Sequence, residues 1–135
     1  LLYLDPPYNT RQYIGYYHIP ELIATGWFDH PPALRGKTGL LPDDGKRSDW
    51  SRRGRCEAVF EELVARAPWR RLVMSYNAEG IIPEATIERV LKSYGRRATY
   101  RRYAYRYRRY RADADGPRRR YRGDEVVEYL YCVDR

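Results

Sequence analysis

Four consecutive residues combine types that could do chemistry: Asp5-Pro6-Pro7-Tyr8, placed where the apolar run Leu1-Leu2-Tyr3-Leu4 ends. An exocyclic amino nitrogen of a nucleobase is a poor nucleophile, because its lone pair is delocalised into the ring. Two hydrogen-bond acceptors aimed at its two N–H groups favour the pyramidal nitrogen and stabilise the positive charge that grows as a methyl group arrives. Asp5 offers one acceptor. The Pro6 carbonyl offers the other, since Pro7 holds Pro6 extended and so fixes where that carbonyl points, and neither proline brings a competing N–H. Tyr8 adds a flat face for a base taken out of its stack. The same four residues also read as a plain turn closing a buried strand. A proline-rich ligand for a WW domain does not fit, because that motif is Pro-Pro-x-Tyr and here the tyrosine comes one residue early.

The elements that must position this corner follow from composition and periodicity. With 135 residues and 43% hydrophobic content the chain can bury one modest core. Its net charge is +8, and Lys37, Lys46 and Lys92 are the three lysines among 26 basic residues. Such an excess of arginine suits a polyanionic partner; an arginine-rich proteome would give the same balance. Cys56, Cys132, His18 and His30 have no metal-ligand spacing, so reduced thiols and no metal are expected. The absence of a signal peptide or an apolar run of membrane length gives a cytoplasmic protein as the expectation, with no membrane partner. A start without methionine, inside an apparent core strand, reads as a fragment.

Pro20-Glu21 before Leu22-Ile23-Ala24 and Gly26 predicts a short helix. Residues 28–50, punctuated by glycine and proline, have no period and read as a long loop that could close over a base or hold a phosphate through Lys37. Cys56, Val59, Phe60, Leu63 and Val64 make one apolar stripe of a helix over 51–67, which Pro68 ends. Residues 71–77 then read as a buried strand. Ser75, Tyr76 and Asn77 would share an edge with Asp5 to Tyr8 if the two strands are parallel. Pro83 is expected at the first position of a helix with Ile87, Val90, Leu91 and Tyr94 on its buried side and Gly95 at its end. Tyr103, Tyr105 and Tyr107 alternate with Arg102, Arg106 and Arg108, the period of a strand with an aromatic and a basic face. Residues 125–133 alternate likewise, so a terminal antiparallel hairpin over 97–134 is expected, its arginine-rich loop at 112–124 either touching phosphates or forming a solvated tip.

The stretch Asp5-Pro6-Pro7-Tyr8-Asn9-Thr10-Arg11-Gln12-Tyr13 resembles motif IV of the amino-group DNA methyltransferases and, in its longer form, the D12-class, Dam-like adenine-specific methylases. Ser75-Tyr76-Asn77-Ala78-Glu79-Gly80-Ile81-Ile82-Pro83 resembles the segment those enzymes carry after their next strand. The resemblance implies an α/β fold, a partial Rossmann-like S-adenosylmethionine-dependent methyltransferase sheet with a C-terminal antiparallel hairpin. It implies methyl transfer from S-adenosylmethionine to the N6 amine of adenine in double-stranded DNA, with the base flipped out. Asp5, Pro6, Pro7 and Tyr8 would be catalytic, Asp5 would border the cofactor, and Tyr8, Asn9, Arg11, Tyr13, Lys37, Ser75 and Asn77 would bind substrate. A restriction endonuclease is a partner such a family admits. The family's glycine-rich Phe-x-Gly-x-Gly turn for the cofactor is not among these residues, nor is a target-recognition domain, so the chain is expected to be the C-terminal catalytic half of a longer enzyme and inactive alone. Two other readings stand beside it: N6 methylation of adenine in RNA, and a basic nucleic-acid-binding module without catalysis, since arginine and tyrosine alone bind single strands.

Overall fold

The alternation of side chains along four strands decides the layers. The computed structural model describes residues 1–26, 33–34, 36, 39–41, 45, 47–109 and 123–135. In chain order these form β1 (Leu2–Leu4), α1 (Tyr13–Tyr16), α2 (His18–Thr25), a 3-10 turn at Asp49–Ser51, α3 (Cys56–Arg66), β2 (Arg71–Asn77), α4 (Glu84–Tyr94), a 3-10 turn at Arg97–Thr99, β3 (Arg101–Arg108) and β4 (Glu125–Asp134). The strands make one mixed sheet in the order β1-β2-β4-β3. β1 and β2 run parallel, with Leu4 opposite Met74. β4 lies antiparallel to β2 (Met74 opposite Tyr131) and to β3 (Tyr103 opposite Leu130).

Every second residue of β2 is buried: Leu72, Met74 and Tyr76. Register brings Tyr131 and Val133 of β4 and Leu4 of β1 to the same face. Cys56, Phe60 and Val64 of α3 and Ile87, Val90 and Leu91 of α4 complete this core. A fully buried ring such as Phe60 is worth several kcal/mol, since deletion removes apolar area and leaves a cavity. On the opposite face Tyr3, Leu130, Tyr103 and Tyr105 stay exposed among the described residues. Arg102, Arg106 and Arg108 of β3 lie on the helix side, where Arg102 pairs with Glu84 and stacks over the Tyr129 ring at 4.9 Å. Among the described residues no helix is long and apolar enough to cross a membrane.

Several elements depart from the expectations. The helix placed at 51–67 starts at Cys56: Gly54 has φ 79°, a left-handed backbone that cannot be helical, and residues 49–51 form a separate 3-10 turn. Pro83 is the N-cap of α4 and not its first residue, and its carbonyl accepts from the Thr86 and Ile87 N–H groups. The stretch after the corner contains α1. The short helix expected around Pro20 is found as expected, as α2, with Pro20 in its first turn and Gly26 as its left-handed C-cap. Lys37, most of 28–50 and most of 112–124 lie outside the described residues.

Two ion pairs staple the layers. The Glu61 carboxylate of α3 accepts two hydrogen bonds from Arg89 of α4 at 3.2 and 2.9 Å. Asp134 of β4 accepts two from Arg71 of β2 at 2.6 and 2.9 Å. Hydrogen bonding from Arg89 holds the Glu61 carboxyl below its ordinary range, and that from Arg71 does the same for Asp134. A carboxyl depressed in the folded state binds protons more weakly than in the unfolded chain. Its stabilisation is complete above the ordinary carboxylate range and is lost as pH falls through the folded-state value. Denaturant midpoints recorded on the acid side of neutrality should therefore fall below about pH 4, and Asp134→Asn together with Glu61→Gln should flatten that fall.

Tyr131 is fully buried, yet its hydroxyl and that of Tyr100 find no hydrogen-bond partner among the described residues. Burial pushes the Tyr100 hydroxyl up to about 12 and raises that of Tyr131 as well. Removing a buried hydroxyl that satisfies nothing should cost nothing. Tyr131→Phe is thus expected to leave the unfolding free energy unchanged or raised, while Phe60→Ala lowers it by about 3–5 kcal/mol; urea titration of both variants checks the contrast, and a large loss in Tyr131→Phe would show a partner for that hydroxyl.

Candidate active site

Because β1 and β2 are parallel and in register, the chain leaves both strands at the same edge of the sheet. Asp5 to Tyr8 follow β1 there, and the turn at 77–82 follows β2. Two hydrogen bonds join them: the Tyr76 hydroxyl donates to the Pro7 carbonyl at 3.4 Å, and the Ile81 N–H donates to the Tyr8 carbonyl at 3.1 Å. The Tyr76 hydroxyl also accepts from the Ile82 N–H at 3.0 Å. Burial raises its pKa, so the proton it donates stays in place. The ring reaches this position because residue 80 is glycine, where a Cβ would stand 2.1 Å from Tyr76 Cε1. The turn itself is closed by Asn77, whose Oδ1 accepts from the Glu79 N–H at 2.8 Å and whose carbonyl accepts from the Gly80 N–H at 2.9 Å.

Within the corner Pro6 is buried and Pro7 half-buried, while Asp5 and Tyr8 are exposed. The next residues are fixed by local bonds. Asn9 Oδ1 accepts from the Arg11 N–H at 2.9 Å, and the Arg11 guanidinium lies over the Tyr16 ring at 5.6 Å. Gln12 makes a two-way amide pair with the Ser48 backbone, accepting its N–H at 2.7 Å and donating to its carbonyl at 3.3 Å. Tyr13 stands beside the corner. Its hydroxyl pKa is raised by burial first and then by Tyr17, Asp5 and Tyr8, and its ring packs on Tyr17 with centroids 5.1 Å apart.

Two hollows flank the corner. One, of about 360 Å³, is lined by Pro7, Tyr8, Asn9, Arg11, Tyr13, Tyr16 and Tyr17. The other, of about 340 Å³, is bounded by Asp5, Pro6, Tyr3, Leu4, Trp50 and Leu63 among others, with Pro7 and Tyr13 shared between the two. Asp5 and Tyr8 therefore open to opposite sides of one rim.

Of the residues singled out from sequence, Asp5, Pro6, Pro7, Tyr8, Asn9, Arg11 and Tyr13 come together here, and Ser75 and Asn77 reach the same edge. The side chains of these last two are engaged within the fold: Ser75 Oγ donates to Glu128 at 2.7 Å, and Asn77 closes its turn through Oδ1. Lys37 lies outside the described residues. Sequence reasoning missed Gln12 and Tyr76 as positioning residues. Tyr76 sits at a buried position of a strand, where periodicity signals core and not the reach of a hydroxyl; Gln12 was in the quoted motif with no role attached.

If the Tyr76 hydroxyl holds the corner, Tyr76→Phe strands the buried Ile82 N–H and should cost about 1–3 kcal/mol. Gly80→Ala should cost a similar amount by pushing the ring aside. Chemical denaturation and amide exchange at Ile82 measure both, and unchanged midpoints with full protection at Ile82 would remove the tie from the account.

Comparison with known proteins places this geometry. The chain is 37% identical to the type II methyltransferase M.FokI of Planomicrobium okeanokoites over all 135 residues, which make up 20% of that protein. It is 33% identical to the type II methyltransferase M.NlaIII of Neisseria lactamica over 135 residues, 38% of that protein. It is 28% identical to the modification methylase StsI of Streptococcus sanguinis, again over 135 residues and 19% of the relative. The chain thus spans between about a fifth and two-fifths of the length of the curated relatives it matches. No family model matches it, and no solved structure does. Along its whole length, from the Asp-Pro-Pro-Tyr corner to the terminal hairpin, the chain is homologous to a segment of the type II DNA methyltransferases.

Proposed function

We propose that, within its full protein, this chain carries the amino-group acceptor site of a DNA methyltransferase that modifies the N6 amine of adenine. The observation that carries this reading is the Asp5–Tyr8 corner, held by carbonyl anchors at the carboxyl edge of two parallel strands, in a chain similar throughout its length to type II DNA methyltransferases. The strand order β1-β2-β4-β3 supports reading the sheet as the carboxyl-terminal portion of a Rossmann-like methyltransferase fold. The working compartment would be the cytoplasm, and a restriction endonuclease of the same site specificity would be the functional partner.

A flipped adenine lies across the rim with its N6 toward Asp5 and its ring on Tyr8. The Asp5 carboxylate accepts one N6 hydrogen and the Pro6 carbonyl the other, which draws the lone pair out of conjugation and stabilises the cationic amine until it releases a proton through Asp5 to solvent. S-adenosylmethionine, when bound, supplies an electrophilic methyl group. This chain's residues fit the border of a site for it: the Asp5 carboxylate stands beside an apolar wall of Leu4, Trp50 and Leu63, while a glycine-rich turn is not among the 135 residues. Arg11 and the arginines at 118–120 contribute charge toward phosphates, a term that weakens with salt.

The catalytic and binding roles separate under mutation. In the full protein Asp5→Ala should lower the rate of methyl transfer by at least about a hundredfold while salt-dependent DNA binding stays nearly as it was. Replacing Arg118, Arg119 and Arg120 by glutamine should do the reverse, weakening binding and flattening its dependence on salt. Transfer of tritiated methyl to duplex DNA and binding isotherms at several salt concentrations report the two effects; methylation unaltered in Asp5→Ala would end the catalytic reading.

A further inference from the structure

The groove on the Tyr8 side of the rim is larger than stacking one ring on Tyr8 requires. It continues past Tyr8 along Arg11, Tyr16 and Tyr17, and Asp5 is not among its lining residues. A base whose amine is at Asp5 lies on the rim, so the far part of the groove remains for something else. Its walls are aromatic faces and hydroxyls with a guanidinium laid over one ring, and Tyr16 and Tyr17 are 44% and 58% exposed. Exposed tyrosines beside an arginine offer stacking and charge to a nucleotide and little to a neutral apolar ligand.

We infer that this groove seats a second nucleotide, the immediate neighbour of the target on the same DNA strand, its base on the rings of Tyr16 and Tyr17 and its phosphate at Arg11. The inference rests on the methyltransferase reading and extends it: the enzyme unstacks two consecutive nucleotides, and the second helps to hold the first on the rim. Three observations argue for a nucleotide and against a peptide or a second copy of the chain. The groove is continuous with the corner through Pro7 and Tyr8. Its charged group is a cation in a chain of net charge +8. The segment that forms it is anchored by the Asn9 turn and the Gln12–Ser48 pair, so its rings are presented without an ordering cost.

The test is a coupling measurement in the full protein. Duplexes carrying the protein's methylation site are made with one abasic residue at each position neighbouring the target adenine in turn, and binding is measured for the parent, for Tyr16→Ala/Tyr17→Ala and for Tyr16→Phe/Tyr17→Phe. In the parent, and in the phenylalanine variant that keeps the rings, one adjacent position should weaken binding on the order of tenfold to a hundredfold when its base is removed. In the alanine variant that penalty should vanish. Abasic penalties equal in the parent and the alanine variant, or no sensitive position at all, would overturn the inference. Asp5→Ala keeps the two readings apart: it should retain the coupling while losing methyl transfer, so methylation surviving in Asp5→Ala strikes the catalytic assignment, whereas coupling absent from the parent strikes the second nucleotide alone.

Discussion

A corner made of two prolines has no N–H groups of its own at those positions, so it can be anchored through its carbonyls alone. That constraint governs the site. The Pro7 carbonyl accepts from Tyr76 and the Tyr8 carbonyl from Ile81, one donor within β2 and the other in the turn that follows it. A donor can stand there only if β2 runs parallel to β1 in the observed register. The corner's geometry is therefore written as much in residues 76–82 as in residues 5–8, and Gly80 is the residue that makes the arrangement sterically open.

The same turn also receives the hairpin. Arg109, just past β3, makes a two-pronged pair with Glu79 at 3.0 and 2.6 Å and donates to the Gly123 carbonyl at 3.1 Å before β4 begins. Ser75 Oγ bonds Glu128 of β4. One short turn thus joins the corner on one side to the open end of the hairpin on the other. Ser75 and Asn77 of β2 face away from the helices and are engaged there, Ser75 on Glu128 and Asn77 in closing its own turn, so both, though at the right edge, work first as parts of the frame.

How much of this was legible in the sequence follows from what periodicity measures. Alternation and helical stripes report which side of an element is buried, so β2, β3, β4, the body of α3 and the body of α4 could be read directly from Leu72, Met74 and Tyr76 or from Phe60 and Val64. Where an element begins depends on single residues: Gly54 could as easily have sat within a helix start, and its left-handed backbone is a tertiary outcome. The corner could be singled out because its residues are contiguous in the chain. Its support could not be, because Tyr76 and Gln12 act on residues 69 and 36 positions away in the chain, and no local pattern encodes a partner at that distance.

Exposure divides the site in a way that bears on mechanism. Tyr76 and Ile81 are 3% and 8% exposed, and Pro6 is buried, whereas Asp5 and Tyr8 reach solvent. The anchors are dry and the working ends are wet. In the proposed reaction the acceptors must already point where charge will grow, since any reorientation during methyl transfer would add to the barrier. Two prolines restrict the backbone, and two buried donors hold the Pro7 and Tyr8 carbonyls next to Pro6, so the orientation of the Pro6 carbonyl is set by folding and not by the arriving base. An exposed carboxylate on such a frame stays hydrated until a base covers it. The base must then do two things at once, replace that water and lie flat on Tyr8, and a base still stacked in a duplex can do neither.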